Sequence, residues 1–144
     1  MREIKFRAWD TVSKKIYSVE LIDFFEGRIE LMCDGLRDRV NEGQARCMQY
    51  TGLKDKNGKE IYGGDIIKII LEDYRHPISN LEGDDVYPPE VENICEIRYR
   101  NSRGFVALVR NKPYRGKVLN LKDGCDEVIG NIYENPELLK DKHE

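Results

Sequence analysis

Two histidines, four cysteines and several adjacent carboxylates are the residues of this 144-residue chain that could do covalent or acid–base chemistry. Nucleophilic catalysis needs a Cys or Ser beside a base that takes its proton near neutral pH, and His is the usual base. His143 is next to last and His76 precedes Pro77 in an acidic segment, so both read as solvated. Cys33, Cys47, Cys95 and Cys125 are too widely spaced, and too far from a histidine, to supply the close ligand pairs of a closed zinc site. They read as thiols, each a small buried hydrophobe. Glu72–Asp73 and Asp84–Asp85 fall within residues 72–92, a stretch with seven acids and three of the five prolines. That stretch reads as a solvated, self-repelling loop, with a weak divalent-ion site as the other reading.

A different kind of chemistry is suggested by charge segregation. Between Arg98 and Lys117 there are seven basic residues, Arg98, Arg100, Arg103, Arg110, Lys112, Arg115 and Lys117, and no acid, with Tyr99, Phe105 and Tyr114 interleaved. Arginines for phosphate and aromatic rings for stacking are the parts of a single-strand nucleic-acid surface. The competing reading places Arg98 and Arg100 on the outer face of one strand, paired with the acidic loop 72–92. The glycine-rich stretch "MQYTGLKDKNGKEIYGGDIIKII", Met48 to Ile70, raises the question of a phosphate cradle. Such a cradle needs its glycines to open a helix, whereas Gly63 and Gly64 precede a β-branched run. Asp65 could be a catalytic carboxylate, but beside Gly and ahead of a strand it reads as a turn residue bonding its own backbone.

The elements that would hold these residues are mostly strands. Ile4, Phe6 and Ala8 alternate with Lys5, Arg7 and Trp9, and "IYSVEL" follows a polar turn, so residues 3–21 read as a hairpin. "LIDFFEGRIELMC" reads as a short helical turn before Gly27 and then a strand over 28–32. Residues 34–44 are charged and glycine-punctuated, the marks of a loop or weak helical turn. "ARCMQYTG" is strand-like, Asn57-Gly58 is a tight-turn signal, and "IIKIILEDY", apolar on both faces, predicts a central strand. "NICEIRYRN", "SRGFVALVRN", "GKVLNL" and "DEVIGNIYE" are four further strands at the short spacing of a small barrel or sandwich. Asn135 as N-cap, Pro136 at the first helical position and Glu137 in the first turn predict a short terminal helix over 136–142.

Composition sets outer limits. A chain of this length, with 40% hydrophobic residues, is expected to fold as one domain, 1–144, without a structural metal or disulfide. Its subregions are a hairpin part (3–50), a barrel core (51–135) carrying the acidic loop, and the terminal helix. The net charge of −3 argues against a protein that coats nucleic acid through bulk charge. "MREIKFRAWD" has no apolar leader region, and the densest apolar runs fall short of the ~20 residues a membrane helix needs. A cytoplasmic protein in a reducing compartment is expected.

At "FRAWD", "MQYTGLKDKNGKEIYGGDII" and "EVIGNIYENPELL" the chain resembles the YopX family, small proteins of phages and prophages, over Phe6 to Leu139. The resemblance implies a mainly β pseudobarrel, SH3-like in size, capped by a helix, with an intracellular life in a bacterial host. It carries over no catalytic, cofactor or metal residue. The most recognisable positions, Thr51, Gly52, Asp55, Asn57, Gly58, Gly64, Asp65, Gly130 and Asn131, are of the types that turns demand. The expectation is therefore a non-enzymatic binding or assembly module without cofactor. It would self-associate or bind a phage or host protein through exposed aromatics such as Trp9 or Tyr62 and through open strand edges. The alternatives are a nucleic-acid accessory protein using the 98–117 face and a small metal-dependent enzyme.

Overall fold

The alternation near the N-terminus becomes a hairpin, as its period of two requires: β1 (Phe6–Asp10) pairs antiparallel with β2 (Lys15–Asp23), Ala8 opposite Tyr17 and Trp9 opposite Ile16. The structure, a computed structural model, describes residues 3–33, 36–41, 43–71, 78–79, 81–86, 90–112, 114–124 and 127–140. Asp10 fixes the first turn, its carboxylate accepting from the Val12 N–H (3.0 Å), the Ser13 hydroxyl (2.8 Å) and the Gln44 amide (2.9 Å). The sheet continues through β3 (Arg28–Cys33) and β4 (Leu36–Asn41) on one side, and β5 (Ala45–Lys54) and β6 (Glu60–Tyr62) on the other. The order is β4-β3-β2-β1-β5-β6. β4 corrects the loop or helical turn expected over residues 34–44. Its charges suit a sheet edge, where Arg39 donates to Glu30 on β3 at 3.1 Å while Val40, opposite Ile29, is buried.

A second antiparallel sheet, in the order β12-β11-β10-β7-β13, is built from β7 (Asp65–Leu71), β10 (Val91–Arg100), β11 (Gly104–Val109), β12 (Val118–Asn120) and β13 (Glu127–Asn131). The doubly apolar run predicted as a central strand is β7, held between β10 and β13. A two-residue ribbon of β8 (Ile78–Ser79) and β9 (Asp85–Val86) lies within the acidic stretch, most of which falls outside the described residues. The protein is thus mainly β, and its two sheets do not close into the expected barrel. The chain leaves the first sheet at β6 and enters the second at β7 through Gly63-Gly64, so the strands divide into two sets joined at a corner. Gly63 donates to the Gln49 carbonyl in one sheet, Gly64 donates to that of Ile97 in the other, and Gly64, at φ +93°, takes the left-handed conformation a side chain resists.

The terminal α-helix is also corrected. Residues Pro136–Leu139 form a single 3-10 turn, and residues 141–142 of the expected helix lie outside the described residues. Asn135 does not cap it, because its Oδ1 instead accepts from the Asn131 N–H at 3.3 Å. None of the four residues is buried, and a turn without buried side chains lacks the packing that extends a helix beyond its costly nucleus. The same contact explains Gly130, where a Cβ would collide with the Asn135 side chain.

Three apolar clusters fill the structure. Ile67, Ile69, Cys95, Ile97, Ala107 and Val109 of the second sheet cluster with Ile61 of β6, while Ala8, Ile29, Leu31, Val40 and Ala45 cluster within the first sheet. Trp9, Met48, Tyr50 and Tyr62 form a third, against which Tyr133 packs, stacked on Trp9 at 6.3 Å. Beside this third cluster a charge pair crosses between the sheets. Arg7 of β1 donates to Asp65, the first residue of β7, whose side chain is 1% exposed. Asp65 also accepts from the Tyr62 N–H at 2.8 Å, and the Arg7 guanidinium lies 4.3 Å from the Tyr62 ring centroid. Removing either partner strands a buried charge, at a cost of about 3–5 kcal/mol, whereas an apolar pair of matching volume is often tolerated. Arg7→Met and Asp65→Leu are each expected to lower the urea midpoint sharply, and the double variant to regain most of the loss. Simply additive losses would count against the pair as the tie between the sheets.

Candidate functional site

Strand alternation decides how the basic run is displayed. Along β10, Arg98 and Arg100 point to one face while Tyr99 follows Ile97 on the other, paired across from Phe105 with ring centroids 5.3 Å apart. The arginines and the aromatic rings expected to work together are therefore on opposite faces of the β10–β11 hairpin. The run is also split lengthwise. Arg103 sits in the hairpin turn, hydrogen-bonded to Asn120, while Arg110, Lys112, Arg115 and Lys117 lie beyond the far end of β11. Seven residues at about 3.3 Å each put Arg103 and Arg110 roughly 23 Å apart.

The counter-charge for this run comes from inside β10. Glu96, two residues ahead of Arg98 and 7% exposed, accepts from Arg98 Nε at 3.1 Å and Arg110 Nη1 at 2.9 Å on the same oxygen. Arg98 thus has a carboxylate within its own strand, and the reading that pairs it and Arg100 with the acidic loop falls mostly outside the described residues. Farther along, Arg115 Nε donates to the Arg110 carbonyl at 2.9 Å and Lys117 Nζ lies 5.4 Å from the Tyr114 ring centroid. Arg98, Arg100, Arg103, Lys112, Arg115 and Lys117 are exposed and Arg110 is half-buried.

The buried carboxylates are engaged with the backbone. Asp55 accepts from the N–H groups of Asn57 (2.9 Å), Lys59 (2.8 Å) and Val128 (3.1 Å), so the Asn57-Gly58 turn is tied to β13 through one side chain. Burial opposes its ionisation, but these donors outweigh burial and hold the carboxyl below its ordinary pKa. At Asp65 burial wins over Arg7 and the Tyr62 N–H, and the pKa is raised. Cys95 is buried as expected, whereas Cys47 is exposed, with burial of its sulfur pushing the thiol pKa up. The side chain of Cys33 and all of Cys125, His76 and His143 lie outside the described residues. Among the described residues no three of His, Cys, Asp and Glu are grouped to hold a metal ion, and no helix is long and apolar enough to cross a membrane.

The exposed aromatics are not those expected. Trp9 and Tyr62 are both 8% exposed, inside the third cluster, whereas Phe24 and Phe25 are 89% and 98% exposed in the β2–β3 turn. That turn is set by Asp23, whose Oδ1 accepts from the N–H groups of Phe25 (3.0 Å) and Glu26 (3.1 Å). Gly27, at φ +67°, completes it. The signal was present in "DFFEG", an Asp and a Gly bracketing three residues, but a helical turn would also have hidden the rings. Beside the turn is a cleft of about 270 Å³ whose lining is mostly apolar, with Phe6, Ile22, Phe24 and Ile29, but includes Asp23 and Arg28.

Comparison with known proteins places this geometry. The family model described as YopX protein matches residues 5–140. The crystal structure of protein EF1440 from Enterococcus faecalis is similar at 30% identity and a TM-score of 0.58, covering 97% of this chain and 100% of that one. No curated protein matches the chain.

Asp55 lies within the matched span, and its lowered pKa has a definite sign. A carboxyl depressed in the folded state contributes stability above its unfolded pKa and loses it as pH falls through the folded value. Asp55→Asn is expected to cost about 2–3 kcal/mol at pH 7, since buried N–H donors lose an acceptor. The gap from wild type should narrow on acidification below about pH 4; a gap that chemical denaturation finds constant from pH 7 to pH 3 would contradict this account.

Proposed function

Because the chain belongs to the YopX family, we propose that it is a phage- or prophage-encoded binding or assembly module that acts through protein contacts in the cytoplasm of a bacterial host, without catalysis. The observation that carries this reading is the β2–β3 turn, which holds Phe24 and Phe25 almost wholly in solvent by backbone bonds to Asp23. A turn built to present two large apolar rings has its use at an interface, where aromatic anchors supply most of the binding energy. The engagement of Asp10, Asp55 and Asp65 in turns and in the inter-sheet pair supports a structural rather than catalytic use of the buried acids.

The test compares wild type with a Phe24→Ser/Phe25→Ser variant, each immobilised and exposed to lysate of the lysogen after prophage induction. A defined protein retained by wild type and lost from the equally folded variant is expected. Identical sets of retained proteins, or none, would remove the reading.

A second reading rests on Tyr99, which is 61% exposed between Arg98 and Arg100 at the hairpin tip. It predicts micromolar, salt-steep binding of single-stranded oligonucleotides, measured by fluorescence anisotropy. Binding should be abolished when Arg98, Arg100 and Arg103 are all changed to Glu. Retained affinity in that triple variant would eliminate it.

A further inference from the structure

We propose that the β2–β3 turn docks on a second copy of this chain, the Phe25 ring of each copy entering the apolar cleft beside the turn of the other, about a two-fold axis. This rests on the reading that the turn makes protein contacts and names the partner. The projecting part and the receiving part occupy one patch: Phe25 is the residue next to Phe24, and Phe24 is one wall of the cleft. A projection and a recess that adjoin on one surface satisfy each other in a closed pair, residue i on j and j on i, whereas separated patches build open chains.

Size fits the same occupant. The cleft, at about 270 Å³, lies just below the range of about 300–1,000 Å³ typical of small-molecule sites, which suits a single side chain. Its lining is mostly apolar, with Phe6, Ile22, Phe24, Ile29, Ala45 and Cys47, and carries one charge of each sign, Asp23 and Arg28. Four phenyl rings, two from each copy, bury about 150–250 Å² apiece. Together they come to roughly 600–1,000 Å², the size of a weak, reversible interface rather than an obligate one.

The rim is matched in charge. Asp23 and Glu26 flank the rings, and Arg28 pairs with Glu26 and lies 3.8 Å from Asp23. A two-fold rotation brings each Arg28 toward the other copy's acids, so a patch carrying both signs complements itself where a strongly acidic or basic partner would leave charges opposed. The bonds from Asp23 hold the turn before contact, which lowers the entropy lost on docking.

Sedimentation equilibrium on the full chain, from about 1 to several hundred micromolar, tests this with two variants. Phe25→Ser removes the projection. Cys47→Trp, at an exposed position on the cleft wall, fills the recess while adding apolar surface. Wild type is expected to dimerise, and each variant alone to dimerise at least roughly 30-fold more weakly, as for loss of a hot-spot side chain. Mixing the two variants should restore a heterodimer, since one supplies the projection and the other the recess. Dimerisation of Cys47→Trp at wild-type strength would indicate general apolar adhesion and overturn the proposal. If Cys47→Trp does not fold, Phe25→Ser at the exposed tip still decides, because unaltered dimerisation there also overturns it. A monomeric wild type overturns self-docking whether or not phage or host proteins are captured through the turn, and such capture is what the module reading requires.

Discussion

The position of the Arg7–Asp65 pair is the constraint on which the two-sheet arrangement turns. Asp65 stands where the chain has just left the first sheet, and Arg7 reaches it from the middle of that sheet, so one ion pair spans the boundary. Burial makes ionised Asp65 costly, and Arg7 and the Tyr62 N–H offset part of that cost only while they hold their places, Arg7 against the Tyr62 ring. Such a pair adds little net stability over an apolar contact. It specifies geometry instead, because a slipped register would leave two charges in the dark. The Gly63-Gly64 corner works to the same end, with its two N–H groups bonded one to each sheet.

Much of the architecture was legible because turns have strong local chemistry. The first hairpin, the Asn57-Gly58 turn, the central strand β7 and the four later strands all follow from alternation bounded by Gly, Asn and Asp. The failures share one cause, which is that a pairing with a neighbouring element, rather than the segment's own composition, decides the outcome. β4 reads as a loop until β3 is set beside it, and Asn135 reads as a helix cap until Asn131 takes its oxygen. The short strand spacing leaves a barrel or a sandwich open, because spacing does not say where a sheet stops, and the pseudobarrel comes from the family resemblance.

The same reasoning applies to the candidate surfaces. A run of seven bases without an acid looks cationic on paper, yet strand pairing brings Glu96 between Arg98 and Arg110. Trp9 and Tyr62 look like surface aromatics until Met48, Tyr50 and Tyr133 pack against them. Phe24 and Phe25 resemble core residues by type, and only the turn that Asp23 organises turns them out to solvent.

Order along the chain gives the two sheets different histories. Every strand of the first sheet lies within residues 6–62, whereas the second needs β13, whose pairing with β7 spans about sixty residues. On a ribosome the first sheet can therefore assemble while the second is still being made, with Arg7 in place before β7 has both of its neighbours. Closure comes late. Val128 must find Asp55, and the N–H of Ile132 must find the Gly64 carbonyl, before the corner is complete. Until then the nascent protein is a finished first sheet beside an unfinished second one, whose central strand still lacks an edge.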